Sequence, residues 1–293
     1  MSEPFPDSSK YRIIKLVGQG QYGRVFCAVH KQTGKLVALK ELDQQRFPTN
    51  KFLRELHFLS SLQHPNIIAF QGIEHTPTGR YIVMDYCEGG TLRHLMQSEE
   101  PLSLVHGLKL IADVLAGLDY AHSRDVVHCD IKPENILLSL NSNGWGARIS
   151  DFGLAKIIHQ VSTEQTVCTG SPAYMAPERF YGKYSPASDI YAVGVMVFEL
   201  ALGYRPFSGL PGELMTAHLN QPVEVPNTVS FLLRSAILTA MHKLPTHRFA
   251  STSQMLKSIQ LAAEVENLTN GDVPPLSIPK FDFSLSHVNS TQI

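Results

Sequence analysis

In the stretch VVHCDIKPENILL, at 126–138, Asp130, Lys132 and Asn135 stand close together in one short loop. A carboxylate, an ammonium and an amide in that arrangement can orient a hydroxyl, take its proton and stand beside developing negative charge. Asp and Asn also fill plain turns for local reasons, so a chemical reading needs partners elsewhere in the chain. One partner follows at Asp151-Phe152-Gly153, after the short run ARIS. Asn135 and Asp151 then offer two oxygen ligands for Mg²⁺, and Asp130 remains as a free carboxylate. In-line transfer of a γ-phosphoryl group to a hydroxyl requires that set. In such a reaction Asp130 takes the acceptor's proton and Lys132 faces the charge on the phosphoryl oxygens.

Upstream, the run Gly18-Gln19-Gly20-Gln21-Tyr22-Gly23-Arg24-Val25 spaces its glycines as G-x-G-x-x-G. Glycines also serve plain turns, and the motif alone is weak. Here it joins two strand-like runs, whereas a dinucleotide-binding fold needs it to open a helix. A glycine hairpin folded over phosphates fits better. Ala38 and Lys40, two apart in a strand, point to the same face. A solvated strand lysine is the ordinary reading. Against it, Glu55 falls on the apolar stripe of the neighbouring helix, between Phe52 and Leu59. A half-buried carboxylate there needs a cation, and Lys40 is the nearest candidate; the pair would hold the lysine over the α- and β-phosphates.

These groups need a scaffold with two parts. Residues 11–86 hold three short β-like runs (YRIIKLVG, RVFCAVH, KLVALKEL), one helix at PTNKFLRELHFLSSLQHPN capped by Thr49 or Asn50, and two more strands, NIIAFQGI and RYIVMDY. That predicts a five-stranded antiparallel sheet carrying one helix. Residues 87–263 turn to long helical stretches at 102–123, 185–203 and 229–243, with loops of Gly, Pro and Ser between them. The fold class is therefore α+β and bilobal, with a small sheet lobe and a larger, mainly helical one. Residues 1–10 read as an N-terminal tail and 264–293 as a C-terminal tail of low order.

Composition narrows the function. With 25 basic and 26 acidic residues in 293, the chain shows no electrostatic footprint for nucleic acid or an anionic membrane. Its four cysteines form no C-x-x-C and read as reduced thiols in a cytoplasmic setting. The thirteen histidines lack ligand spacing, so no structural metal is expected. No secretory signal is expected at the start, and the apolar run at 190–203, broken by Glu199, reads as a buried core helix rather than a membrane span.

Taken in order, GQGQYGRV, VALK, Glu55, HCDIKPEN, DFG and MAPE at 175–178 resemble the signature set of protein kinases. The similarity runs from about Tyr11 to Ala263 and looks like the bacterial, eukaryotic-like branch, with HCD where HRD is usual. The resemblance implies ATP in a cleft between the lobes, with Mg²⁺, or Mn²⁺ in its place, held by Asn135 and Asp151. It implies that Val17, Gly18, Gln19, Gly20, Gln21, Tyr22 and Gly23 cover the phosphates and that Lys40 and Glu55 form the pair inferred above. Val25, Ala38 and Leu137 would sandwich the adenine, with Met84 behind it and backbone groups of Asp85 and Cys87 toward its edge. Leu59, Phe70, His128 and Phe152 would stack as an internal spine, Glu178 would pair with Arg248, and Asp189 would brace the catalytic loop. Lys132 and Ser171 resemble the serine/threonine branch, which implies protein Ser or Thr hydroxyls as acceptors, with autophosphorylation expected. Two alternatives remain at this stage: a pseudokinase acting as a nucleotide-binding scaffold, and a phosphotransferase for small molecules, disfavoured by the stretch at 171–178.

Cys129 stands where most members carry an arginine that clamps a phosphate on the activation segment. At the commonest position of the phosphothreonine this sequence has Val167. Both halves of the clamp are missing together, so Cys129 reads as a small buried filler and the switch as absent. A redox role is the alternative; a buried thiol beside a carboxylate is a poor nucleophile.

Overall fold

The computed structural model describes residues 9–20, 23–42, 56–76, 79–99, 102–141, 144–158, 170–270 and 276. Five strands, β1 (Tyr11–Gly20), β2 (Gly23–His30), β3 (Leu36–Leu42), β4 (Phe70–Thr76) and β5 (Gly79–Asp85), form an antiparallel sheet in the order β1-β2-β3-β5-β4. The alternation of side chains across the strands divides their apolar residues between two faces. Phe26, Ala28, Val37, Leu39, Tyr81 and Val83 make a small core on one side. Ala38, Ile82 and Met84 face the other way, into the main core, together with Phe58, Leu59 and Leu62. The last three belong to or adjoin helix α1, described over 56–61. The expected caps Thr49 and Asn50, and Phe52, lie outside the described residues.

The expected strand at NIIAFQGI begins later, at Phe70. Ile67 and Ile68 are each 1% exposed and pack into the junction between the lobes. Ile67 bridges to Ile149, and the Ile68 N–H donates to the Ile149 carbonyl at 2.9 Å.

The larger part holds α2 (Leu92–Met96), α3 (Leu104–His122), β6 (Val126–Val127), β7 (Ile136–Asn141), β8 (Gly144–Ile149), β9 (Lys156–Ile157), α4 (Pro186–Leu202), α5 (Pro211–Asn220), α6 (Phe231–Ala240) and α7 (Thr252–Asn270). Helix α4 is its axis. It starts after Ser185 with Pro186 in the first turn, is buried throughout 188–199, and ends at Gly203, whose φ of 78° suits a glycine C-cap. Among the described residues no helix is long and apolar enough to cross a membrane.

Three helices escape the sequence reading. Helix α2 is a single short turn of chain. Helix α5 buries only Leu214, Ala217 and His218, so its apolar stripe is too thin to stand out. Helix α7 continues to Asn270, past Glu264, where low order was expected to begin. Ala262 is buried there, while Glu264, Asn267 and Leu268 are exposed; the polar composition marks a solvated helical face rather than a tail. Residues 271–275 and 277–293 lie outside the described residues.

Candidate active site

The loop between β6 and β7 is fixed from below. Asp189, at the start of α4 and 1% exposed, accepts the N–H of His128 at 2.8 Å and that of Cys129 at 2.9 Å. Its Oδ2 also lies 2.8 Å from His122 Nε2. Burial alone would push the Asp189 carboxyl up, but these partners hold it below its ordinary range. Cys129 itself adopts a φ of 68°, in the left-handed region. The chain thereby turns so that Asp130 faces the returning segment.

Asp130 is enclosed by donors. Its Oδ1 accepts the Ser171 N–H at 3.0 Å, and its Oδ2 lies 2.8 Å from Lys132 Nζ and 3.2 Å from Asn135 Nδ2. Lys132 Nζ also donates to Ser171 Oγ at 2.7 Å, and Asn135 Nδ2 to the Asp130 carbonyl at 2.8 Å. The structure thus brings together Asp130, Lys132, Asn135 and Ser171. Because the Asn135 amide nitrogen is turned to Asp130, its oxygen is the atom presented on the other side.

Asp151 follows β8 with φ 62° and ψ 67°. Its neighbour Phe152 is fully buried and meets the His128 ring edge-on, with centroids 4.7 Å apart. His128 Nε2 is 2.9 Å from the Ser150 carbonyl. Phe152 and His128 therefore pin the turn that presents Asp151. Lys40 Nζ donates to Asp151 Oδ1 at 3.0 Å and holds that carboxyl below its usual range. The Asp151 side chain is 46% exposed, open toward the cleft. Glu55, the expected partner of Lys40, lies outside the described residues, as do Gln21 and Tyr22.

A cleft of about 560 Å³ joins these groups. Of the expected nucleotide-site residues, Val17, Gly18, Val25, Ala38, Lys40, Met84, Asp85, Cys87, Leu137, Asn135 and Asp151 line it. Gln19, Gly20 and Gly23 lie in the β1–β2 hairpin beyond its lining, and Asp130 and Lys132 stand at the neighbouring loop. The sequence reading missed Leu16, Ile68, Tyr86, Thr91, His94 and Glu134, which also line it. His94 lies on α2 and Thr91 caps it, and the brevity of that helix hid them. The Asp85 side chain accepts from Lys35 (3.0 Å), Gln71 (2.8 Å) and Arg148 (3.0 Å). Arg148 sits on β8, so this cluster ties the sheet to the helical lobe at the back of the cleft. The Asp85 N–H donates to the Ala69 carbonyl, which leaves its own carbonyl as the group it can offer to a base.

The chemistry of the donor set fits a small, hard divalent cation better than a metal bound wholly by protein. Asn135 and Asp151 supply two oxygens in one cleft, and no cluster of three or more His, Cys, Asp or Glu exists among the described residues. A small hard cation with two protein oxygens completes its shell with phosphate oxygens and water.

Beyond the cleft, Arg248 grips Glu178 through two bonds of 2.7 Å, and the Ser188 hydroxyl donates to the same carboxylate at 2.7 Å. Burial would raise the Glu178 carboxyl; Arg248 holds it low. Arg93 of α2 joins Glu134 (2.8 Å), Glu199 (2.9 Å) and the Tyr174 hydroxyl into one network. Such partners are distant in sequence and leave no local pattern to read. Thr163, Thr166, Val167, Cys168 and Thr169 lie outside the described residues.

The model of the protein kinase domain matches residues 11–259. The probable serine/threonine-protein kinase PknB of Lactococcus lactis is 30% identical over 275 residues, covering 88% of this chain and 43% of its own. The serine/threonine-protein kinase PrkC of Bacillus subtilis is 32% identical over 277 residues, covering 89% and 42%. The mouse serine/threonine-protein kinase D3 is 35% identical over 208 residues, covering 69% and 23%. The chain spans less than half the length of each of these relatives.

Proposed function

The chain belongs to the protein kinase family, and on that premise we propose that it transfers the γ-phosphoryl group of ATP to serine and threonine hydroxyls of proteins. The family uses ATP with a divalent metal ion, and the cleft between the two lobes has the volume and lining for a nucleotide. One observation carries the reading. Asp130 is held by Ser171, Lys132 and Asn135 at a loop that adjoins the cleft containing the Lys40–Asp151 pair.

In this mechanism Lys40 binds the α- and β-phosphates, and Val25, Ala38 and Leu137 enclose the base with Met84 behind it. Asn135 and Asp151 would hold Mg²⁺, and the bound ion would supply positive charge against the phosphates. Asp130 orients the acceptor hydroxyl and takes its proton. Lys132, bridging Asp130 and Ser171, faces the transferred group and ties the peptide side of the site to the loop. Position and charge, rather than a covalent intermediate, lower the barrier.

We assign residues 11–86 to the small lobe and 87–270 to the large one, whose last helix runs past the expected boundary at 263. Serine and threonine as acceptors are supported by Lys132 and Ser171 and by the names of the relatives. A cytoplasmic setting is supported by buried cysteines at 27, 87 and 129 that form no disulfide. No observation favours a scaffold without turnover. The test is incubation with labelled ATP, Mg²⁺ and a generic protein substrate, followed by phosphoamino-acid analysis. Label on serine or threonine is the expected result; label on tyrosine alone, or none, contradicts the reading.

A further inference from the structure

Cys129 stands where the family usually has an arginine, and the structure brings an arginine from another segment to its backbone carbonyl. Arg179 lies on the short 3-10 turn Pro177–Tyr181 and is only 5% exposed. The Arg248 and Ser188 bonds to Glu178 anchor that turn one residue earlier. From it, an Arg179 NH2 group donates to the Cys129 carbonyl at 3.4 Å. Cys129, Asp130, Arg179 and Asp189 line one small cavity of about 10 Å³ beneath the loop.

The conformation of Cys129 gives this contact its meaning. A φ of 68° in a non-glycine residue is strained and persists only where the surroundings hold it. Cys129 is held at both backbone ends, its N–H by Asp189 at 2.9 Å and its carbonyl by Arg179. The carbonyl of residue 129 and the N–H of Asp130 belong to one planar peptide unit. That N–H donates to His128 Nδ1 at 3.2 Å. Arg179 and His128 therefore fix the two edges of the plane from which the Asp130 side chain springs.

We infer that Arg179 is a positioning residue for Asp130, acting through the Cys129 carbonyl from a buried site that needs no phosphate. The inference rests on the phosphotransfer reading and adds its regulation. An arginine at position 129 would place its charge on a side chain that a phosphate on the activation segment could recruit. Arg179 is enclosed and already engaged, so the loop is set whether or not the segment is modified.

The test compares kcat and the KM for ATP in the wild type, in Arg179→Met, and in the double variant Arg179→Met with Cys129→Gly. Glycine reaches positive φ without the side-chain penalty, so it relieves the conformation that Arg179 holds. Arg179→Met is expected to lower kcat about tenfold or more with the KM for ATP changed less than about twofold. The double variant is expected to regain about threefold in kcat over Arg179→Met. If Arg179→Met does not fold, Arg179→Lys, which keeps a buried charge but not the planar fork, replaces it in both arms. An active wild type whose variant keeps its kcat overturns the inference. So does a loss that Cys129→Gly leaves unrepaired, because that loss is packing alone. A wild type that transfers nothing overturns the phosphotransfer reading and takes this inference with it.

Discussion

Lys40 on β3 and Asp151 after β8 form an ion pair of 3.0 Å across the cleft, tying the small sheet to the loop beside Asp130. Lys40→Met removes the cation on the sheet side. We expect phosphotransfer to fall by about two orders of magnitude or more, with the melting temperature little changed because the Asp151 end of the pair is open to solvent. Steady-state label transfer and thermal melts on the same preparations check this. Unimpaired transfer would remove Lys40 from the mechanism.

Asp151→Asn addresses the metal. The Asn135 and Asp151 oxygens are the pair this account assigns to Mg²⁺. The variant is expected to weaken ATP binding in the presence of Mg²⁺ by about tenfold or more, while binding in chelator changes far less. Calorimetric titrations with and without Mg²⁺ separate the two, and equal losses in both would count against the assignment.

The resemblance puts Cys129 and Val167 at the two halves of the usual clamp, so phosphates added to nearby threonines are expected to find no guanidinium on residue 129. Enzyme stripped by phosphatase, and shown bare by mass spectrometry, is expected to keep its rate to within about threefold. A drop of about tenfold, equivalent to about 1.4 kcal/mol in the barrier, would show that another basic residue clamps the segment.

His218 on α5 is fully buried, with Nδ1 2.8 Å from the Tyr191 hydroxyl. Burial, helped by Lys243, lowers its pKa from 6.5 to about 4. The unfolded chain therefore takes up this proton near pH 6.5, whereas the folded chain resists it until about pH 4. Stability is present above that window and is lost as pH falls through it, by about 3 kcal/mol at most. Thermal melts from pH 7 to 4 should show the decline, and His218→Phe should flatten it. An unchanged slope in the variant would mean that other groups set the acid limit.

How far the sequence carried depends on the range of the interaction. The sheet was legible because strand alternation and glycine turns are local, and Asp130, Lys132, Asn135 and Asp151 because their spacing within two short loops is itself the signal. The Glu178–Arg248 and Asp189 braces came from resemblance, since partners so distant in sequence leave no periodicity. Arg179 and the Arg148–Asp85 tie were missed for the same reason. Helices α2 and α5 are too short or too thinly apolar to announce themselves, and the polar face of α7 passed for a tail. The partner of Lys40 illustrates another limit. An apolar stripe pointed to Glu55, which lies outside the described residues, and nothing local in the sequence announced that Asp151 also pairs with Lys40, brought there by the turn at Phe152.

The most direct measurement is the single-turnover rate of phosphotransfer from bound ATP in Asp130→Asn against the wild type, at saturating nucleotide with Mg²⁺ and a serine- or threonine-bearing acceptor. If Asp130 takes the acceptor's proton, the rate falls by about two orders of magnitude or more while ATP affinity stays within about twofold. A near-normal rate in the variant would contradict the account.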